Sequence, residues 1–270
     1  MSRSASRFEM MLVAGARELR DCRRAFIGFH WPVIASRVAR RLYRPDMLCA
    51  YEGGFVEDTL IETIPTSNND LILAQKATMC GDSLDTIFML LRAGWMETTM
   101  LDGFMVDRYG NINSTCLGDF AHPRVRLAGS GGATELAAFS KRLIILSSAT
   151  TPDRYPERVD YVTSAGYLTG GDSRRQAGFM EGTGPTALIN PLGRFCFDPE
   201  SKEMYLEAVQ PGVSAKEVRE SVAWTLRVVD PLSEIEPATP VELETVRGEL
   251  AKARERLYEM PKETFSTDSR

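Results

Sequence analysis

The order of apolar runs along this chain predicts an α/β fold, an open and mostly parallel sheet flanked by helices. Three observations carry the prediction. Stripes at helical spacing alternate with short apolar runs over residues 8–150, the pattern that parallel strands and crossover helices produce. One of those runs, Leu143–Leu146, is apolar throughout, as a strand buried within a sheet can be. At 270 residues, with 43% hydrophobic and 26% charged content, the chain can bury roughly three quarters of its unfolded surface. Disorder, a disulfide-stapled miniprotein and a collagen-like repeat are excluded on the same grounds.

Phe8, Met11, Leu12, Ala16 and Leu19 recur at helical spacing, and Ala25–Phe29 follows as a short strand. Pro32 sits where a second helix can start, with Ile34, Val38 and Leu42 on one stripe and Arg37, Arg40, Arg41 and Arg44 off it. The chain re-extends over Met47–Tyr51 and meets Glu52-Gly53-Gly54. After Gly81-Asp82-Ser83 a helix is expected, with Leu84, Ile87, Phe88 and Leu91 sharing a face and Gly94 as its stop. Thr98–Val106 reads as strand, Gly129-Ser130-Gly131-Gly132 opens a small-residue helix through Phe139, and Leu143–Leu146 is the buried strand.

Residues 164–184 hold six glycines and little periodicity; a long structureless stretch inside a compact domain is usually functional. Gly193–Asp198 and Met204–Val209 read as two strands around a polar turn. Ser214-Ala215-Lys216-Glu217 and Thr239-Pro240-Val241-Glu242 are capping boxes that start two further helices. The second carries Leu243, Val246, Leu250 and Leu257, a stripe expected to pack on the rest of the chain. One domain over 1–258 and a polar tail over 259–270 is the expected partition.

Charge is distributed unevenly. The net charge is −5, yet residues 1–44 hold ten arginines against Glu9, Glu18 and Asp21 and so carry +7, leaving −12 for the remainder. An acidic whole argues against general nucleic-acid binding. The arginines are either a solvated helix face or a patch for an anionic ligand or an acidic subunit. No apolar run approaches the ~20 residues that span a bilayer, and the N-terminal one is broken by Arg17, Glu18 and Arg20. A cytoplasmic protein is expected, with neither signal peptide nor anchor. The five cysteines form no CxxC pair, and neither His30 nor His122 stands at ligand spacing to another histidine or a cysteine. No metal site is expected, and the thiols read as buried or partly buried.

Glu52 is the most informative residue. It ends a predicted strand, and in open α/β sheets ligands bind beyond the carboxyl ends of strands. Gly53 and Gly54 let the backbone turn and let a substrate approach with no Cβ in the way. A carboxylate is already ionised at neutral pH, so it can act as a nucleophile without a base. Local sequence equally allows a surface glutamate in a turn. Gly129-Ser130-Gly131-Gly132-Ala133 would expose backbone N–H groups suited to an oxyanion, or would serve only tight helix–strand packing. It is neither a P-loop nor G-x-G-x-x-G. Tyr109–Thr115 is a polar turn that could line a pocket, and His122 is either a general base or structural.

In one order, the chain carries Arg44-Pro45-Asp46, Tyr51-Glu52-Gly53-Gly54 and Asp107–Thr115, then Gly118-Asp119-Phe120, His122-Pro123 and Gly129–Ala133. Val159–Ser164 and Ala208–Val218 complete the series. Over about residues 8–230 it resembles the second, β-type subunit of the class I CoA-transferases, of the glutaconate type. The resemblance implies the CoA-transferase fold and an obligate α-type partner subunit. It also implies CoA transfer between an acyl-CoA thioester and a free carboxylic acid, with a dicarboxylic, glutaconate-like acid among the candidates. Glu52 matches the glutamate that attacks the thioester to give an acyl anhydride and then holds CoA as a glutamyl thioester. Gly131 and Gly132 match the loop placed beside the reacting carbonyl. No permanently bound cofactor is implied, since coenzyme A is substrate and covalent intermediate. The family's E-x-G-x-x-G is kept only as E-x-G, because Glu57 takes the last position. The same fold carries decarboxylases and ring-opening hydrolases of acyl-CoA, which remain the alternative.

Overall fold

The computed structural model describes residues 4–256. Leu257 of the C-terminal stripe and the tail expected at 259–270 lie outside the described residues. Ten strands form one sheet: β1 (Arg24–Ile27), β2 (Leu48–Ala50), β3 (Phe55–Glu57), β4 (Ala77–Cys80), β5 (Thr98–Asp102), β6 (Leu143–Leu146), β7 (Pro185–Ile189), β8 (Gly193–Phe197), β9 (Met204–Val209) and β10 (Arg227–Glu234). Its order is β10-β9-β8-β7-β6-β5-β1-β2-β3-β4. The central block β7-β6-β5-β1-β2 is parallel. Antiparallel pairings extend it on both sides, through β8 and β9 at one end and β3 and β4 at the other. Parallel pairing is thus confined to the middle and to β9–β10.

The central strands are buried on both faces, as parallel strands covered by helices must be. Ile27, Met100 and Ile144 face one way and pack under helices α1 (Arg7–Glu18), α2 (Trp31–Leu42) and α6 (Pro240–Arg256) with Leu12, Val38 and Val246. Their neighbours Phe26, Leu101 and Ile145 point to the other face, where Leu136 of α3 (Ala133–Phe139) and Val218 of α5 (Ala215–Glu220) join the second core cluster. Both predicted capping boxes frame their helices. Ser214 Oγ accepts from Glu217 N–H at 3.2 Å, and Glu242 Oε2 accepts from Thr239 N–H at 2.7 Å. The α6 stripe packs on the chain itself, through Val246, Leu250 and Ala253.

Three expectations change. The helix over 85–91 is a π-helix, with Arg92 N–H reaching back five residues to the Ile87 carbonyl at 2.9 Å. The wider winding breaks the 3.6-residue stripe, so Ile87 and Leu91 are buried while Leu84 and Phe88 are exposed. Thr98–Val106 divides at Gly103: β5 ends at Asp102, and Met105–Val106 pairs with Ile112–Asn113 in a separate ribbon. A Cβ on Gly103 would lie 2.6 Å from Ile145 Cγ2, so only glycine passes this close to β6. Of the thiols, Cys22, Cys49 and Cys116 are buried, whereas Cys80 is exposed on the edge strand β4.

Residues 164–184 wrap around one buried cation. Arg174, in the short helix α4 (Ser173–Gln176), donates to the carbonyls of Ala165, Gly166, Ala137 and Ala138 at 2.7–3.1 Å and to Thr183 Oγ1 at 3.0 Å. That guanidinium is the order-giving contact of a segment without strands.

The arginines of residues 1–44 are largely neutralised from within. Arg37 and Glu249 meet at 2.5 Å with both side chains 2% exposed, and Arg41 holds the other Glu249 oxygen at 2.5 Å. Arg40 lies 3.2 Å from Glu57, both 1% exposed. Arg17 forks onto Glu242 through two 2.8 Å bonds. Glu242 and Glu249 near the end of the chain thus meet arginines from its start and clamp α6 to α1 and α2, while Arg40–Glu57 ties α2 to β3. For Arg37, Arg40 and Arg41 neither a solvated face nor a ligand patch describes the outcome.

Two tests follow from this clamp. Removing one partner of a buried pair strands the other, at a cost of about 3–5 kcal/mol. Glu249→Leu should lose that much stability in urea unfolding, and adding Arg37→Met should recover part of it. Burial works against the Glu242 carboxylate, but Arg17, Tyr43 and the Thr239 N–H outweigh it and hold its pKa at about 2. The stabilisation from Glu242 is complete above the unfolded-state value and fades as pH falls towards 2. The stability gap between wild type and Glu242→Gln should therefore close between about pH 5 and pH 2.

Candidate active site

The carboxyl ends of β1, β2 and β5 open on one side of the sheet, where the chain order runs to β2 in one direction and to β5 in the other. This is the switch point at which open α/β sheets bind ligands. A cavity of about 360 Å³ lies there. Its lining combines Gly28, Phe29 and His30 after β1, Glu52 after β2, and Leu101, Asp102 and Phe104 from the end of β5 and the turn beyond. Asn68, Ser114 and the loop 127–130 with Ala133 contribute as well.

Glu52 is held by a turn that its glycines make possible. Tyr51 N–H bonds to Phe55 O at 2.9 Å and Gly54 N–H to Tyr51 O at 3.2 Å, closing the link from β2 to β3. Gly54 has φ +93°, and a Cβ there would lie 2.3 Å from Gly81 O. Gly53 N–H bonds to Asn68 O at 3.2 Å. The N–H groups of Gly53 and Gly54 are therefore engaged inside the chain. They shape the turn from which the Glu52 side chain projects.

The Glu52 side chain reaches across to the second glycine loop. Gly132 N–H donates to Glu52 Oε1 at 2.7 Å. A Cβ on Gly131, whose φ is +46°, would stand 3.0 Å from Oε1, and one on Gly132 would stand 3.0 Å from Cδ. Two adjacent residues without side chains thus let backbone and carboxylate touch. Among the described residues no cation pairs with Glu52, whose carboxylate accepts its hydrogen bond from that N–H. Burial pushes the carboxyl above the ordinary glutamate value of 4.5, the Gly132 N–H pulls it back, and the Glu135 carboxylate adds to the rise. A half-buried carboxylate with one donor and an open cavity is poorly solvated in its charged form, as a nucleophile towards an acyl carbon needs to be.

Gly129, Ser130 and Ala133 line the same cavity as Glu52, and Gly131 and Gly132 press on its carboxylate. The loop is pinned by Ser114, whose hydroxyl donates to Gly129 O at 2.7 Å and whose carbonyl accepts from Gly129 N–H at 2.8 Å. The Tyr109–Thr115 segment is a turn folded around Asp107, which accepts from Asn111 Nδ2 at 2.9 Å, and it brings Ser114 to the cavity. His122 is exposed and outside the lining, its backbone N–H bonded to Asp119 Oδ1 at 3.0 Å. The glycine-rich residues 164–184 do not line the cavity either. Among the described residues no group of acidic, histidine and cysteine side chains could hold a metal ion.

His30 and Asp102 are cavity residues that sequence reasoning passed over. His30 Nδ1 lies 2.9 Å from Asp102 Oδ2, each side chain about a third exposed. His30 has φ 72° and ψ −120°, a conformation that costs a non-glycine residue on the order of 1–3 kcal/mol and that collects at functional sites. The available signal was Gly103 within the strand expected over Thr98–Val106, since a glycine there can end the strand at Asp102 and place it where open sheets bind ligands.

Residues 8–221 match the Coenzyme A transferase family. The chain is 34% identical over 242 residues to the B-type subunit of 3-oxoadipate CoA-transferase from Pseudomonas knackmussii, covering 89% of this chain and 91% of that protein. It is 30% identical over 249 residues to the B-type subunit of glutaconate CoA-transferase from Acidaminococcus fermentans, covering 90% and 91%. The crystal structure of glutaconate coenzyme A-transferase from that organism superposes with a TM-score of 0.83, over 91% of this chain and 94% of the other. The decarboxylase AibA/AibB shares the fold, with a TM-score of 0.75 at 22% identity over 90% and 94% of the two chains. With its parallel core, its Glu52-Gly-Gly turn and its glycine loop, this chain belongs to the Coenzyme A transferase family.

Proposed function

We propose that this chain is the B-type subunit of a two-subunit CoA-transferase and that Glu52 carries the transferred group. The carrying observation is the Glu52 carboxylate itself: unpaired with any cation among the described residues, half-buried, facing a cavity and touching the Gly131–Gly132 backbone. A Glu52 oxygen attacks the thioester carbonyl, and the C–S bond breaks to leave an acyl–glutamyl anhydride and CoA thiolate. The thiolate attacks Cδ of Glu52, releasing the acyl group as a carboxylate and forming a glutamyl-CoA thioester. An acceptor carboxylate then runs the two steps in reverse. Each step exchanges one acyl bond for another, so neither a redox partner nor a lasting cofactor is required.

The relatives are named for 3-oxoadipate and glutaconate, both acids with two carboxyl groups, which supports a dicarboxylic substrate here. That both are named as one subunit of a transferase supports an α-type partner. The cytoplasm is the compartment proposed for this work; no helix among the described residues is long and apolar enough to cross a membrane. That the relatives at 34% and 30% identity are named as transferases, whereas the decarboxylase matches at 22%, supports transfer over decarboxylation.

Incubating the assembled complex with acyl-CoA, quenching in acid and mapping peptides should find CoA or acyl mass on the peptide containing Glu52. Glu52→Ala should lose about four orders of magnitude in turnover; unmodified Glu52 with surviving activity would contradict the reading, and CO2 release without an acceptor would point to the decarboxylase. Gly131→Ala places a methyl against the nucleophile and should cost about 100-fold in kcat, the usual penalty for a misplaced reacting group. Because burial raises the Glu52 pKa, the acid limb of kcat/KM should lie above the ordinary 4.5, activity falling as pH drops through it. A limb at or below 4.5 would mean that the carboxylate reacts from a well-solvated state.

A further inference from the structure

Besides Glu52, the cavity carries a pair of titratable side chains on the wall built by β1 and β5, and the transfer steps use neither. His30 Nδ1 meets Asp102 Oδ2 at 2.9 Å, and the imidazole lies against the Trp31 indole with ring centroids 3.7 Å apart. No described residue bonds its Nε2. We propose that His30, oriented by Asp102, binds the second carboxylate of a dicarboxylic acyl group while the thioester carbonyl lies at Glu52. The assignment rests on the transfer reading of Glu52 and adds the residue that selects the acyl chain.

Five observations converge on it. Of the described residues that line the cavity, His30 is the one whose side chain can carry positive charge. A second carboxylate is repelled by Glu52 and needs that charge at a distance. The strands supply the separation: β1 lies between β2 and β5, and the 2.9 Å contact with Asp102 draws the His30 ring towards β5, away from Glu52 at the tip of β2. Phe29, Leu101, Phe104 and Leu127 line the same cavity and provide apolar wall for the methylenes of a short chain. An ionised Asp102 accepts only and so fixes a proton on Nδ1; in the cationic ring Nε2 is then a second donor, which a carboxylate accepts.

Backbone conformation is the last observation. At φ 72° and ψ −120° glycine is the residue at ease, yet the chain holds histidine here, directly beside its carboxylate partner. Strain of this kind persists where the side chain is used.

His30→Gly separates this role from folding, because the substitution relaxes the backbone and should leave the melting temperature of the assembled complex at or above wild type. Glutaryl-CoA and butyryl-CoA, with acetate as common acceptor, report the preference as a ratio of kcat/KM. Loss of one charged hydrogen bond should lower the glutaryl-to-butyryl ratio about 10- to 100-fold in His30→Gly. Asp102→Asn, which no longer holds a cationic ring, should lower it as well. An unchanged ratio, or equal loss for both thioesters, overturns the proposal. Should the wild-type complex exchange neither thioester, the transfer reading fails, and calorimetry with the free acids still scores His30. Tighter binding of glutarate than butyrate, abolished by His30→Gly, supports the assignment, and equal binding overturns it.

Discussion

The contact on which the site depends is the one between the Glu52 carboxylate and the backbone of Gly131–Gly132. A carboxylate taken partly out of water loses hydration that one N–H bond restores only in part, and the raised Glu52 pKa records that balance. The sheet makes the arrangement possible. β2 delivers Glu52 at its tip, the glycine turn after it aims the side chain across the crevice, and the loop before α3 arrives from 80 residues further on to meet it. A cation in place of the Gly132 N–H would neutralise the nucleophile, and a side chain at either glycine would push it away. The site is therefore defined as much by the atoms it leaves out as by those it contains.

The same sheet explains why acyl chemistry and acyl recognition can share one cavity without interfering. Adjacent parallel strands end side by side, so each tip offers one loop at a fixed spacing. Glu52 stands on one tip, His30 follows the next and Asp102 ends the third. The stability of this platform comes from elsewhere. Buried Arg37–Glu249 and Arg40–Glu57 pairs lie away from the cavity lining and tie α2 to α6 and to β3.

Much of this architecture was legible in residue order, and what was not has physical reasons. Leu143–Leu146 and Met204–Val209 are strands with the expected bounds, and Ser214 and Thr239 start helices as their capping boxes require. Glu52 could be singled out because it stands before two glycines at an expected strand end and within the ordered series of segments that resembles the family. The capping box Ser6–Glu9, by contrast, was there to be read and places the start of α1. Arginine pairing was not legible, since Arg17 and Glu242 are 225 residues apart and no local pattern joins them. The π-helix over 85–91 hides behind an ordinary amphipathic stripe. The partner of the Gly53 N–H was not legible either, since Asn68 O lies in a separate loop, whereas the Gly54 N–H closes the turn onto Tyr51 O. His30 looks idle in a metal-spacing search, because its partner is a carboxylate 72 residues away on a neighbouring strand.

The central claim is that an acyl carbon is bonded to a Glu52 oxygen during every turnover, and isotope flow tests it directly. With an acceptor acid labelled with oxygen-18 in its carboxyl group, the acceptor oxygen that joins the glutamyl carbonyl stays on Glu52 when thiolate cleaves the new anhydride. After turnover in unlabelled water the peptide containing Glu52 should carry that label. A label-free Glu52 alongside sustained CoA exchange would contradict the account, since transfer would then bypass this side chain.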